Sequence, residues 1–377
     1  MAPDFSRDVH CILGLPFDAI DTDSAVAKVR SAAASGNRCF LSTPNLNFAI
    51  AAQSNSQFRD SVLHSDLNIA DGMPLIWVAK LLGIPMPERV AGSTLFERLR
   101  ECTATPIKVF FFGGHGGVAA RACKQLNARS QGLRCVGFDA PGFGSIEDMS
   151  GADRIARINA SAADFLVVSL GAQKGQAWIE RNLDRLHIPV VSHLGAVVNF
   201  VAGTVRRSPS WMGRIGLEWL WRIKEEPALW RRYANDGIVF GRLLLTRVVP
   251  QAFARWFARS ARREQATYDF TKDVDSMRLR LSGAWTANDI APLRAVLAEV
   301  AVDGRRLTLD LRDLSHADPA LIGLLSLLWI HLVREGRPWS CSSIHPAGRR
   351  CLRNAFAEYM MDPAITPGPL AKGNVPF

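Results

Sequence analysis

Asp71 stands in the run Asn68-Ile69-Ala70-Asp71-Gly72-Met73-Pro74, directly after a short apolar stretch and before a segment of helical periodicity. An Asp before Gly forms turns more often than it does chemistry. A carboxylate at the carboxyl end of a strand is nevertheless placed to take a proton from a substrate hydroxyl. Leu41-Ser42-Thr43-Pro44-Asn45-Leu46-Asn47 sets hydroxyl and amide groups at a similar strand-to-helix junction, where they act as helix caps or as polar ligands. Phe110-Phe111-Phe112-Gly113-Gly114-His115-Gly116-Gly117 follows an apolar strand and opens a helix, so its amides either cradle a diphosphate or make a tight turn. Its spacing is neither GxGxxG nor a Walker loop, which argues against NAD and ATP. Asp21-Thr22-Asp23 has the form of a metal-holding acidic triplet, but it lies immediately before the helical run Ser24 to Ala34. Acids and Thr cap a helix there and complement its dipole, and a metal site is rejected.

The elements that must position these residues alternate. From residue 9 to about 200, short β-rich runs exchange with longer helical segments, the pattern of an α/β sandwich around a mainly parallel sheet. The expected strands are Arg38 to Ser42, Ile107 to Phe112, Leu133 to Phe138, Phe165 to Leu170 and Val190 to His193. Open sheets of this kind bind ligands at the carboxyl ends of their strands, so the site is expected on that edge.

The remaining composition narrows the partners. The 377 residues are 48% hydrophobic and 21% charged, which gives ample core material and excludes a largely disordered chain. Their net charge of +10 favours anionic partners. Seven scattered Cys with no CxxC pair fit neither a disulfide framework nor a zinc site and point to a reducing compartment. No signal peptide is visible, and Arg242, Arg247 and Arg255 interrupt the apolar window from Ile238 to Phe257, so no spanning helix is expected.

Nearly the whole positive surplus falls in residues 205–263, with 13 Arg and Lys against four acids and five of the ten Trp. Basic helices carrying Trp, Leu and Phe suit a membrane interface, where each arginine meets anionic headgroups at about 1 kcal/mol. A core-packing helical pair with a solvated basic face is the alternative. Nucleic acid is disfavoured, because no recognised nucleic-acid motif accompanies the charge.

Taken together, Thr43-Pro44-Asn45, Ala70-Asp71-Gly72, Glu88-Arg89-Val90-Ala91-Gly92-Ser93, Phe112-Gly113-Gly114, Gly216-Leu217-Glu218-Trp219-Leu220-Trp221-Arg222, Glu226-Pro227 and Trp230-Arg231-Arg232-Tyr233 resemble the WecG/TagA/CpsF glycosyltransferases, in the family's order over about residues 10–235. The resemblance implies an inverting transfer of a sugar from a UDP-sugar to a polyprenyl-diphosphate-linked saccharide, for bacterial exopolysaccharide or cell-surface polysaccharide. It makes Asp71 the base for the acceptor hydroxyl, has Thr43 and Asn45 contact acceptor or donor sugar, and gives Arg89 electrostatic support of the pocket. Gly113, Gly114, Gln176, Asn199, Arg222 and Arg232 become donor contacts, the two arginines reaching the diphosphate. No cofactor is expected, and the transfer is expected to be metal-independent.

Three departures stand out. The family's Pro-Lys-Gln-Glu run appears as Gln173-Lys174-Gly175-Gln176, with Gly175 in place of the usual glutamine, whose role then falls to Gln173 or Gln176, and Asn199 replaces an Asp two residues before Val201-Ala202-Gly203. The arginine expected after Glu-Pro is absent, with Ala228 and Leu229 in its place. These leave a second reading, a catalytically impaired UDP-sugar sensor.

A second module carries Val274 to Leu281, Arg306 to Leu311 and Trp339 to Ile344 as strands, with Asn288 to Val300 and Pro319 to Val333 as helices. Leu309-Asp310-Leu311-Arg312-Asp313-Leu314 followed by Asp318-Pro319-Ala320-Leu321-Ile322-Gly323 is similar to a STAS domain. Pro319 stands where phosphorylated members carry Ser, which excludes a phosphoserine switch there and leaves docking of a protein partner or nucleotide sensing. The expected organisation is therefore a Rossmann-like transferase core (1–204), a basic Trp-rich membrane-binding appendage (205–265) and a STAS-like α/β domain (266–377). The expected location is peripheral, on the inner face of the bacterial cytoplasmic membrane. Truncation after about residue 265 is expected to spare basic catalysis.

Overall fold

Apolar runs of four to seven residues become strands where both faces of a sheet are covered. In chain order the strands are β1 (Val9–Ile12), β2 (Leu15–Asp18), β3 (Cys39–Ser42), β4 (Leu67–Asn68), β5 (Ile107–Gly113), β6 (Leu133–Asp139), β7 (Phe165–Ser169), β8 (Val190–His193), β9 (Thr267–Lys272), β10 (Ser276–Trp285), β11 (Arg306–Ala317) and β12 (Ser340–Ile344). The computed structural model describes residues 2–258 and 264–361, and for residues 210, 214 and 254–258 the backbone alone. Two units emerge, one of residues 17–51 and 64–245, the other of residues 1–16, 52–63 and 246 onward.

The first unit is built on a six-stranded, wholly parallel sheet of order β4-β3-β8-β7-β5-β6. Successive side chains alternate between its faces. Leu41, Val109, Phe111, Val167 and Val190 pack with the helices Thr22–Ser35, Gly92–Glu101, Val118–Arg129 and Val197–Ala202. Phe40, Phe110, Phe112, Leu166, Val168 and Val191 face the helices Ala152–Ala160 and Ala172–Asn182. Trp178 stacks on Phe112 there, with ring centroids 4.2 Å apart. The helices following β5 and β7 thus lie on opposite faces, which opens a crevice between the carboxyl ends of these neighbours, the place where such sheets take ligands.

Asp21 is the N-cap of Thr22–Ser35 and accepts from the Ser24 amide at 2.8 Å, while Asp23 pairs with Arg98 at 2.6 Å. One cysteine expectation is corrected: Cys123, in Val118–Arg129, and Cys135, in β6, form a disulfide with their Cα atoms 5.2 Å apart. Packing of the helix on the strand that follows it brings together two residues whose spacing alone suggested no pair.

In the second unit a sheet of order β12-β11-β10-β9 has β10, β11 and β12 parallel and β9 antiparallel to β10. The buried helix Pro319–Arg334 has thirteen of its sixteen residues enclosed. Part of its cover is the start of the chain, for Phe5, Val9, Cys11 and Leu63 share one core with the C-terminal module. A Cβ on Gly323 would lie 2.9 Å from the Val9 carbonyl oxygen, so glycine is what lets β1 approach the helix. The Arg294 guanidinium donates to the Phe5 and Arg7 carbonyls, and Tyr359 Oη donates to Gly14 O at 3.2 Å. Residues 1–16 and 52–63 are therefore packed with the C-terminal module, a division different from the three consecutive segments expected. A cut near residue 265 would bare this core.

Candidate active site

Asp71 is the third residue after β4, and the backbone around it is laced to neighbouring loops. The Asp71 amide donates to Pro44 O at 2.9 Å, Ile69 N to Ser42 O at 3.0 Å and Val90 N to Ala70 O at 3.0 Å. These bonds bring the three motifs Thr43-Pro44-Asn45, Ala70-Asp71-Gly72 and Arg89-Val90 to one edge. Asp71 does not cap the helix Met73–Leu81 that follows, whose N-cap is Gly72 at φ +157°. Its carboxylate accepts a single long hydrogen bond, 3.3 Å from the Gly92 amide, and lies 3.7 Å from Arg89 Nε. The side chain keeps 29% of its exposure. Burial pushes its pKa up to about 6 and the Glu218 charge adds to this, while Arg89, the Gly92 amide and Arg222 pull the other way. The group thus sits at the boundary between acid and base near neutral pH.

Thr43 meets the same glycine. A Cβ at position 92 would lie 2.6 Å from Leu194 Cδ2 and 3.1 Å from Thr43 Cγ2, so only glycine admits this packing. Asn45 accepts from the Phe48 amide at 3.2 Å and caps its helix. Arg89 is a hub, donating to Glu218 at 2.7 Å and to the Gly213 carbonyl at 3.2 Å. It thereby ties the basic segment, through the helices Ser210–Arg214 and Glu218–Glu225, to the carboxylate. Arg222 lies with its guanidinium 5.6 Å above Phe200 and close enough to act on Asp71. Arg232 is directed elsewhere, 4.9 Å over Tyr233 and beside Asp236, whose carboxylate receives Asn47.

On the crevice side, Gly113 is required by close approach, since a Cβ there would fall 2.4 Å from the Ser169 carbonyl oxygen. The Gly114 amide donates to that same oxygen at 3.1 Å and so is spent on β7, while Val118 N donates to His115 O at 3.0 Å and closes a turn in the loop. Asn199 accepts from Thr204, and Gln176 is fully buried with its amide on Ser42 Oγ at 2.6 Å. Gln176 therefore links the helix Ala172–Asn182 to β3.

Sequence reasoning missed five contributors. Glu218, quoted only as part of a motif, raises the Asp71 pKa by its own charge. Arg207 donates to Ser93 Oγ and Thr94 Oγ1 at 3.2 and 3.3 Å, beside the Gly92 turn. His115 and Phe143 stack with centroids 4.8 Å apart in the loops after β5 and β6, with Phe143 90% exposed. Trp77, on the helix that follows Asp71, is 42% exposed and adjoins the Gly216 turn. Only the helical spacing after Asp71-Gly72 could have pointed to Trp77. The side chains of Arg214, Arg255, Trp256, Arg259, Arg262 and Arg263, counted in the basic segment, lie outside the described residues. Among the described residues, no three metal-binding side chains cluster and no helix is long and apolar enough to cross a membrane.

A doubly covered parallel sheet with an uncapped carboxylate and arginines at its carboxyl edge is the framework of a group-transfer enzyme. Residues 10–253 match the model of the glycosyl transferase WecG/TagA/CpsF family, and residues 268–356 match that of the Mlab, STAS domain. The chain belongs to the WecG/TagA/CpsF family and is a glycosyltransferase carrying a C-terminal STAS domain. It is 30% identical to the N-acetylglucosaminyldiphosphoundecaprenol N-acetyl-beta-D-mannosaminyltransferase of Bacillus spizizenii over 195 residues, 51% of this chain and 74% of that one. The proteins of the same name from Bacillus subtilis and Staphylococcus aureus are 26% and 23% identical, over 51% and 59% of this chain and 73% and 85% of theirs.

Proposed function

We propose that the protein transfers an N-acetylhexosamine, N-acetylmannosamine being the first candidate, from its UDP-sugar to a saccharide on a polyprenyl diphosphate, with inversion and without a metal. The observation that carries this is the Asp71 carboxyl: poised near pH 6, spent on no helix cap, and set against Arg89. In its ionised form Asp71 takes the proton of the acceptor hydroxyl as that oxygen attacks the anomeric carbon. The bond to the UDP oxygen breaks on the opposite side, and the departing diphosphate carries the negative charge. Arg222, which acts on Asp71, and Arg207, beside Ser93 and Thr94, are the cations assigned to stabilise it. The first turn of Val118–Arg129 adds helix-dipole support at the crevice, and the stacked His115 and Phe143 offer a platform for a flat base.

An acceptor with a lipid tail needs an apolar, cationic rim. Trp77 and Leu81 on the helix after Asp71, with Trp211, Ile215, Trp219, Leu220 and Trp230 of the basic segment, are exposed. Indole rings at headgroup depth beside arginines favour an anionic membrane surface, which supports peripheral attachment on the cytoplasmic face. The test is release of UDP from UDP-N-acetylmannosamine in the presence of a polyprenyl-diphosphate N-acetylglucosamine. Release that requires the acceptor and disappears in Asp71→Asn is the expected result, whereas tight donor binding with no turnover by the wild type would favour the sensor reading.

A further inference from the structure

His193 ends β8, the strand that lies between β3 and β7. The register that pairs Leu41 with Ser192 puts His193 level with Ser42, one residue below Thr43, while the next residue, Leu194, packs where Thr43 and Gly92 meet. The imidazole itself turns to the other face, under Gly175 of the helix Ala172–Asn182 and 6.3 Å from the Phe48 ring, at the carboxyl edge of the sheet. It is 7% exposed, and its Nε2 is enclosed with no hydrogen-bond partner. Burial drives its pKa down to about 4, so the ring is neutral at physiological pH. Buried polar atoms in folded proteins are almost always paired, and those that are not call for an explanation in function or in a missing ligand.

Two glycines clear the ring. A Cβ on Gly175 would fall 2.2 Å from His193 Cδ2, and one on Gly195 would fall 3.1 Å from Nε2. A side chain at 175 and an imidazole at 193 compete for one space, and position 175 is where this chain departs from the glutamine its relatives' pattern led us to expect. Glycine at 175 is therefore what leaves room for the imidazole, a neutral hydrogen-bonding group, at this position.

We propose that His193 is a specificity residue on the donor side, its ring nitrogen hydrogen-bonding an uncharged hydroxyl or acetamido group of the sugar. A neutral imidazole suits such a group, whereas the diphosphate calls for the cations described above. This rests on the sugar-nucleotide reading of the site. Past Gly195 no side chain stands between the sugar group and the nitrogen.

The experiment is calorimetric titration of the full chain with UDP-N-acetylmannosamine and with UDP. His193→Phe keeps a ring and removes the nitrogens. It is expected to weaken the UDP-sugar about ten-fold or more, in the range for a site group left without its hydrogen-bond partner, to leave UDP unchanged and to keep or raise the melting temperature. The exchanged pair His193→Gly with Gly175→Gln is expected to recover sugar binding that His193→Gly alone loses, and it decides the matter if His193→Phe does not fold. Unchanged sugar binding in these variants, or equal losses for UDP and UDP-sugar, overturns the assignment of His193 alone. A wild-type chain that binds neither nucleotide overturns the sugar-nucleotide reading itself.

Discussion

Two aspartates in this chain follow a strand and precede a helix with Pro in its first turn, and they are bonded in opposite ways. The Asp318 carboxylate accepts from the amides of Ala320 and Leu321 at 2.9 and 3.1 Å and, with its other oxygen, from Ala287 at 2.7 Å. It is a fully spent cap for the helix Pro319–Arg334. Asp71 has one long bond from a backbone amide, shares Arg89 with Glu218, and is pushed up to about 6. The same residue type at the same kind of junction is a spent cap where backbone amides converge on it, and keeps its carboxylate available for the proposed proton transfer where they do not. The difference lies one residue on: Gly72 at φ +157° turns the helix start away from Asp71, whereas Asp318 enters its helix directly.

That contrast is broken most severely by exchanging the carboxylates for neutral groups. Asp71→Asn is expected to lower the turnover number by roughly a hundred- to ten-thousand-fold with donor affinity retained, measured as UDP release. Because the folded pKa lies above the ordinary 3.8, ionising Asp71 opposes folding, and stability is lost as pH rises from about 4 to about 6. Asp71→Asn should therefore melt higher than wild type at pH 7 and alike below pH 4. Deleting residues 266 onward should be the next largest effect. It strips the shared core from Phe5, Val9, Cys11 and Leu63, at about 1.5–3 kcal/mol for each large apolar side chain re-exposed, so aggregation or loss of cooperative melting is the expected outcome. Asp318→Ala should cost about 1–2 kcal/mol of stability in denaturant titration, as removal of an N-cap does, with turnover per folded molecule unchanged. The smallest effect belongs to the rim: Trp77→Ser with Trp219→Ser should weaken flotation with anionic vesicles several-fold while leaving hydrolysis-independent UDP binding intact.

Much of the fold was legible because the apolar runs are pure. Val190 to His193 was expected residue for residue, and the runs at 107, 133 and 165 differ by a residue or two at their ends. β4 is only two residues long and β9 is an exposed, polar edge strand, so neither leaves a hydrophobic pattern to read. Nor could the pattern tell that β1 would share a core with the C-terminal module, because that depends on Gly323 giving backbone room across a long stretch of chain. At the site, a shared pocket for Asp71, Thr43 and Arg89 was expected from the family resemblance alone, and loop-to-loop hydrogen bonds bring their three motifs to one edge. The gathering of Arg89, Glu218 and Gly213, the room that Gly175 leaves for His193, and the turning of Arg232 toward Tyr233 all arise from tertiary packing.

The pH dependence of kcat/KM for sugar transfer bears most directly on whether Asp71 is the base. It should rise with pH, be half-maximal near 6 and level off above, and in Glu218→Gln the rising limb should move to lower pH, since that glutamate's charge holds the Asp71 pKa up. A profile flat from pH 5 to 8, or a limb that stays in place when Glu218 is neutralised, would contradict the account.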